Sequence, residues 1–298
     1  MYQQIDSNKR KTILFIGIFL IFVIGLGWVF GVALDRAWIL PLAVIVAIVQ
    51  ALISYYYSDK IALTVSRAQE VLRKEPFLEL HRLVENLSIT AGIPKPRVYI
   101  IDDSAPNAFA TGRDPKHAAL AVTSGLLEKL NKNELEGVIS HEISHIDNYD
   151  IRLMTIIVVL YGFVALISDW FLRSLWFRGR DERQSNGILL LIGLALAILA
   201  PLAALLIQMA ISRKREYLAD ASGALLTRYP DGLASALQKI AADREPLEVA
   251  NRATAHLYIS DPLKAQGNSR TGLLAGLFST HPPVADRVKK LRAMISKS

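Results

Sequence analysis

The hydrophobic positions of this chain cluster into four long, largely uncharged runs. Two lie near the N-terminus, at about residues 12–34 and 38–57, and two follow in the second half, at about 153–172 and 187–212. A helix of about 20 residues rises about 30 Å, which matches the hydrocarbon core of a bilayer. The pattern predicts a mainly α integral membrane protein with about four transmembrane helices.

The third run is the least regular of the four. Its uncharged part, Leu153 to Ser168, is slightly short for a span and ends at Asp169. Several arginines follow before the fourth run, although loops outside the cytoplasm are usually poor in basic residues. The sequence therefore leaves open whether the third and fourth runs fully cross the bilayer.

The hydrophobic runs divide the chain into four parts. Residues 1–57 form a first hairpin and 151–212 a second, whereas 58–150 and 213–298 are more polar. Because each hairpin returns the chain to the side from which it started, the two polar parts are expected to fold together as one domain.

Apolar spacing also predicts the elements of this polar domain. Residues 58–92 show helical periodicity, and short β-type runs at 97–101, 107–111 and 118–122 predict a small sheet. A helix with Asn133 as its N-cap follows, and others are expected near 231–241 and 284–294. The domain is therefore predicted to be α+β.

Charge and composition place this domain and limit its partners. Lys9, Arg10 and Lys11 precede the first run, which predicts a multi-pass protein of the cell (inner) membrane with a cytoplasmic domain. The net charge of +7 comes from scattered residues, which favours contact with the lipid bilayer and no nucleic acid. Cysteine is absent, which excludes disulfides and thiolate metal sites.

The most specific motif is His-Glu-Ile-Ser-His, beginning at His141. On a helix, the imidazoles of His141 and His145 share one face and can hold one metal ion, while Glu142 can hold and deprotonate a water molecule. Nitrogen and oxygen ligands of this kind favour Zn²⁺, with one ion per chain. The motif predicts a zinc metalloendopeptidase, and the polar domain becomes a catalytic domain.

Two histidines leave a catalytic zinc ion one protein ligand short. Glu216, just past the fourth hydrophobic run, is the candidate for the third ligand. Asp220 lies one helical turn further along, where it could accept a hydrogen bond from the far nitrogen of a ligating histidine.

These motifs resemble the HtpX group of membrane-bound zinc metalloproteases, which are relatives of the CAAX prenyl endopeptidases. The resemblance spans nearly the whole chain and depends on several motifs in the same order: His141 to His145 followed by Asn148 and Asp150, Glu216 with Asp220, Pro106 to Arg113, Val122 to Leu127, and Ser279 to Pro283 with Arg287.

The resemblance implies a zincin-like domain in which His141, His145 and Glu216 bind the metal and Glu142 is the general base. Asn148, Asp150 and Asp220 would support these ligands. It also implies an edge strand to which an extended substrate adds, formed by Asn107, Ala108, Phe109, Ala110 and Thr111. The alternative is that this stretch is a turn with a buried Phe109.

One further candidate and the substrate stay open at this level. His281, before two prolines, could act in catalysis by stabilising the oxyanion or could have a structural role. The resemblance implies membrane-protein quality control, with membrane or unfolded proteins as substrates. The alternatives are a narrower processing protease for prenylated or signalling peptides and a non-cleaving membrane scaffold. The sequence gives no oligomeric state.

Overall fold

The structure, a computed structural model, describes residues 2–33, 35–177, 213–250, 254–260 and 282–295. The predicted run at 187–212 and the candidate residue His281 lie outside these ranges.

Two helices within the described ranges are long and apolar enough to cross a membrane. Helix α1 (Tyr2–Ala33) and helix α2 (Ile39–Val65) are joined by a short turn and pack against each other. Their apolar stretches, Gln4–Val32 and Ile39–Val65, expose many large hydrophobic side chains. Exposed apolar surface of this extent fits contact with lipid.

The third hydrophobic run lies in helix α6 (Asp150–Phe177), which packs against both α1 and α2. Phe15 and Phe19 of α1 contact a row of apolar α6 side chains formed by Leu153, Ile156, Ile157, Leu160 and Val164. The three helices therefore form one bundle next to the polar domain.

The helical prediction for residues 58–92 is wrong in its middle part. Helix α2 ends at Val65, strand β1 (Gln69–Glu70) follows, and helix α3 begins only at Leu78 and runs to Ala91. The chain leaves the helix through Arg67, whose φ is 52°. Pairing of β1 with the next strand therefore overrides the apolar spacing.

A four-stranded sheet forms the centre of the polar domain. Strands β2 (Arg97–Ile101), β3 (Ala108–Thr111) and β4 (Ala119–Thr123) coincide with the predicted β-type runs. The strand order is β1-β2-β4-β3, with β2 parallel to β4 and β3 antiparallel to it. Strand β3 therefore forms one edge of this sheet.

Side chains alternate between the two faces along each strand, and each face of the sheet packs against a hydrophobic core. Val98, Leu120 and Val122 face a core formed with α3 and the later helices. Tyr99 and Phe109 face a second core, which includes residues from α2 and α6. The sheet thus lies between the apolar helices α2 and α6 on one face and the remaining helices on the other.

The remaining helices pack on the first of these cores. They are α4 (Ser124–Lys129), α5 (Lys132–Asp147), α7 (Arg213–Thr227), α8 (Pro230–Ala242) and α9 (Val284–Ile295). The predicted N-cap of α5 was displaced by two residues: Asn131, not Asn133, caps the helix and forms a capping box with Glu134.

Candidate metal centre and active site

Helix α5 carries His141, Glu142 and His145 through the centre of the domain. All three residues are buried, at no more than 5% exposure. The helix lies between α7 and α8, and a side chain at Gly137 would come within 2.6 Å of the Leu233 backbone nitrogen. Close packing on both sides therefore fixes the direction in which the two imidazoles point.

Helix α7 approaches α5 equally closely at the motif itself. Glu216, Asp220 and Gly223 lie at helical spacings of four and three, and therefore share one face. A Cβ atom at Gly223 would lie 2.9 Å from the backbone nitrogen of His141. Glycine at this position therefore allows α7 to bring its two carboxylates to the histidines.

Three potential metal-ligand atoms converge between these helices. The Nε2 atoms of His141 and His145 lie 3.1 Å apart, and the Glu216 carboxylate oxygens lie 3.8 Å and 3.6 Å from them, respectively. Two nitrogens bound to one tetrahedral zinc ion would be separated by about 3.3 Å. The distance between the imidazoles therefore suits a shared ion.

The far nitrogen of each histidine faces a carboxylate. The Nδ1 atom of His141 is 3.0 Å from Asp220, and that of His145 is 3.0 Å from Asp150. Donation by Nδ1–H to a carboxylate leaves the lone pair of Nε2 directed toward the centre of the cluster. Tyr149, with φ 60°, lies in the turn between α5 and α6, directly before Asp150.

An arginine supports each of these two carboxylates. Arg287 of α9 donates to both oxygens of Asp220, over 2.8 Å and 2.6 Å. Arg215 of α7 contacts Asp150 over 2.8 Å. The paired histidines are therefore held by two parallel arrangements of imidazole, carboxylate and guanidinium.

The charges of the cluster also suit a metal ion. The cluster holds four buried carboxylates and two buried guanidinium groups. The carboxylates are those of Glu142, Asp150, Glu216 and Asp220, and the guanidinium groups are those of Arg215 and Arg287. When all four are ionised and both imidazoles are neutral, as metal binding requires, the carboxylates exceed the guanidinium groups by two negative charges. A divalent cation at the convergent atoms of His141, His145 and Glu216 would balance this excess. The residues present therefore fit a metal ion.

The pKa values follow the same environment. Burial lowers the pKa of His141 to about 4, which keeps its imidazole neutral. Burial opposes the charged form of His145, but its hydrogen bond to Asp150 and the charge of Glu216 raise its pKa to about 9. Burial alone would raise the pKa of Asp220, but Arg287 lowers it below its ordinary value. Binding of a metal ion at His145 would therefore require the release of a proton.

Glu142 lies beside this cluster without belonging to the three convergent residues. Burial raises the pKa of its carboxyl to about 7, and its carboxylate accepts a hydrogen bond from the backbone N–H of Ala110. A carboxyl with this pKa can both accept and return a proton near neutral pH. The contact also brings the edge strand β3 directly to the candidate general base.

The stretch that was predicted as a substrate-binding strand contacts two other parts of the chain, residues 258–260 and Thr155. Phe109 is buried against Tyr258, and the Ala108 carbonyl accepts a hydrogen bond from Ile259 N–H over 3.0 Å. Asn107 precedes the strand and bonds Ser260, whereas Thr111 contacts Thr155. Residues 258–260 therefore already contact the first part of this edge.

The other predicted residues are placed as follows. Asn148 is the C-cap of α5, and its side chain donates to the Ser144 carbonyl. It therefore stabilises the last turn of the helix that carries His141 and His145. Arg287 was noted in a motif without an assigned contact. Arg215 and Asn8 were not predicted, although Asn8 donates to Asp150 over 2.6 Å. Its position on the first membrane helix gave no local sign of a partner so distant in sequence.

A buried pair of histidines with a carboxylate as the third potential ligand and an adjacent acidic residue, next to a sheet edge, is typical of a metalloprotease. The family comparison confirms this class: the model of peptidase family M48 matches residues 74–295. The chain belongs to this family, and its apolar helices make it a membrane metalloprotease.

Curated relatives are similar over almost their entire length. A "Protease HtpX homolog" of Dictyoglomus turgidum is 47% identical and covers 98% of this chain and 94% of its own. Those of Caldanaerobacter subterraneus and Tropheryma whipplei are each 46% identical, with 99% of this chain and 98% of their own covered. The crystal structure of S. mikatae Ste24p, with a TM-score of 0.51 and 20% identity, covers 98% of this chain and 67% of that one. It shows a similar fold.

Proposed function

We propose that this protein is a zinc-dependent endopeptidase that cleaves membrane or misfolded proteins at the cytoplasmic face of the cell membrane, as part of membrane-protein quality control. The observation that carries the proposal is the convergence of His141, His145 and Glu216 beside the buried carboxyl of Glu142. Histidine nitrogen and carboxylate oxygen in this combination favour one zinc ion per chain.

The residues divide the chemistry among them. A zinc ion held by the three ligands would lower the pKa of a water molecule and polarise the scissile carbonyl. Glu142 would accept the proton of the attacking water and pass it to the leaving amine. Asp220 and Asp150 would keep the two imidazoles oriented. The edge of β3 near Ala110 would pair with the extended backbone of the substrate.

The position of the site supports substrates at the membrane. Asp150, which bonds His145, is the first residue of α6, and the hydrophobic run of α6 begins only three residues later, at Leu153. One helical turn rises about 5.4 Å, so the metal centre lies close to the bilayer surface in the proposed arrangement. We further propose that the chain has two membrane hairpins, with four spans, and that both parts of the catalytic domain are cytoplasmic.

The function is tested with the detergent-purified full chain. We expect about one zinc ion per chain, cleavage of a casein-type unfolded protein and of membrane proteins in liposomes, and a loss of about 100-fold or more on chelation that added zinc reverses. A protein that holds zinc but cleaves neither substrate would favour the scaffold or the narrow processing protease. Cleavage of soluble peptides alone would count against membrane substrates.

The orientation is tested by cysteine labelling, for which the cysteine-free chain gives no background. Ala37, in the turn between α1 and α2, and Glu128, at the end of α4, are both exposed. We expect Ala37→Cys to react with a membrane-impermeant maleimide in intact spheroplasts, and Glu128→Cys to react only after permeabilisation. The reverse pattern would place the catalytic domain outside the cytoplasm.

A further inference from the structure

The first membrane helix carries one buried amide that reaches the metal centre. Asn8 of α1 is 3% exposed, and its Nδ2 atom donates to Asp150 Oδ1 over 2.6 Å and to the Asn148 carbonyl over 2.9 Å. Both partners are acceptors, so the amide nitrogen must be the atom that faces them. Asn8 thus contacts both the end of α5 and the start of α6, on either side of Tyr149.

A single residue, Asp150, connects Asn8 to the proposed metal ligand His145 by hydrogen bonds. Asp150 uses Oδ2 to accept from Nδ1 of His145, over 3.0 Å, and Oδ1 to accept from Asn8 and Arg215. With both oxygens bonded, the carboxylate of Asp150 has one orientation. Because a ligating imidazole is oriented by the group on its far nitrogen, the amide of Asn8 acts on His145 through Asp150.

The packing of α1 holds this amide in place. Asn8, Thr12, Phe15 and Phe19 are buried at spacings of four, three and four residues, and therefore form one stripe along the helix. The aromatic part of the stripe packs on α6, and the Thr12 hydroxyl bonds the Asn8 carbonyl. The apolar contacts within the proposed bilayer thus fix the polar contact at its surface.

We propose that Asn8 is a positioning residue of the metal centre, so that the first membrane helix completes the site in addition to anchoring the chain. This inference deepens the proposed function and depends on it, because it assumes that His145 binds the metal. Asn8 donates to Asp150 and to the Asn148 carbonyl, and its effect on His145 should pass through Asp150.

The test compares Asn8→Leu, which keeps the side-chain volume and removes the donor, with Asn86→Leu on the exposed face of α3. The first readout is the dissociation constant for zinc, measured by competition with a chelator on the detergent-purified full chain. We expect Asn8→Leu to weaken zinc binding about 3–10-fold, less than the upper range for direct partners of ligating histidines. We also expect kcat to fall by a similar factor with KM unchanged, and Asn86→Leu to match the wild type.

A double-variant cycle separates positioning from general packing. In the Asp150→Ala background, which removes the acceptor of the Asn8 amide, Asn8→Leu should weaken zinc binding by less than about twofold, because coupled residues are not additive. The inference would be overturned if Asn8→Leu weakened zinc binding as much in that background as in the wild type. It would also be overturned if Asn8→Leu in the wild type changed the zinc dissociation constant no more than Asn86→Leu does. If Asn8→Leu does not fold, Asn8→Ala serves in the same cycle.

The proposed function and this inference can fail separately. A wild-type protein that binds no zinc would overturn the proposed function, and the inference with it. A wild type that binds zinc and cleaves, with an unchanged zinc dissociation constant in Asn8→Leu, would overturn the inference alone.

Discussion

Replacing Glu142 by glutamine is expected to abolish most of the cleavage activity while leaving the metal bound. Glutamine keeps the size of the side chain but cannot accept a proton from water, and general-base catalysis contributes about 10²–10⁴-fold to the rate. Glu142 is not one of the three convergent residues, so zinc content should stay at the wild-type level. Metal analysis and a cleavage assay on the same preparation measure both quantities.

Glu128→Gln is the matched control, because Glu128 is exposed on α4, away from the proposed machinery. It should retain wild-type activity. A metal-loaded Glu142→Gln protein that cleaves at the wild-type rate would remove Glu142 from the mechanism. His141→Ala, in contrast, should lose both zinc and cleavage.

Replacing Glu216 by alanine is expected to weaken zinc binding by more than about 100-fold, the upper range for residues that only support a ligand. The variant removes the sole carboxylate that faces both Nε2 atoms among the described residues. It also removes the carboxylate that lies 4.0 Å from the Arg287 guanidinium, and the positive charge of Arg287 then disfavours a cation at the site. Cleavage should fall with metal occupancy.

Glu79→Ala tests whether the loss of any glutamate produces this effect. Glu79 pairs with Arg82 on the exposed surface of α3, and such pairs contribute little to stability. Its zinc dissociation constant should equal that of the wild type. Full zinc occupancy in Glu216→Ala would show that Glu216 is not a ligand and would require another source for the third one.

The parts of the site that could be predicted are those with a short spacing in sequence. His141 and His145 are four residues apart, and Glu216 and Asp220 repeat that spacing, so helical geometry alone places each pair on one face. The distance between the histidine pair and the carboxylate pair could not be predicted in this way. It depends on packing between α5 and α7, for which Gly223 was the available but unused signal.

The predictions of secondary structure that were wrong lie where two local sequence signals compete. Asn131 and Asn133 each have a glutamate three residues later, and only contacts distant in sequence select Asn131: Glu134 also pairs with Lys239 of α8, over 2.7 Å. In the stretch predicted as helix from residue 58, Pro76 should have counted against a continuous helix.

Contacts across long sequence separations gave no local signal. Asn8 and Asp150 are 142 residues apart, and Arg287 and Asp220 are 67 apart. A polar residue on the same face as Phe15 and Phe19 was a sign that α1 has a buried end, but nothing in the sequence names its partner.

The dispersal of the site along the chain has a consequence for biosynthesis. His145 precedes Glu216 by 71 residues and Arg287 by 142 residues. Ribosomes add about 5–20 residues per second, so Arg287 is added about 7–28 s after His145. Until then, a nascent chain has its first pair of histidines but no complete centre. We therefore expect a nascent chain to be unable to cleave neighbouring proteins until Arg287 has been added.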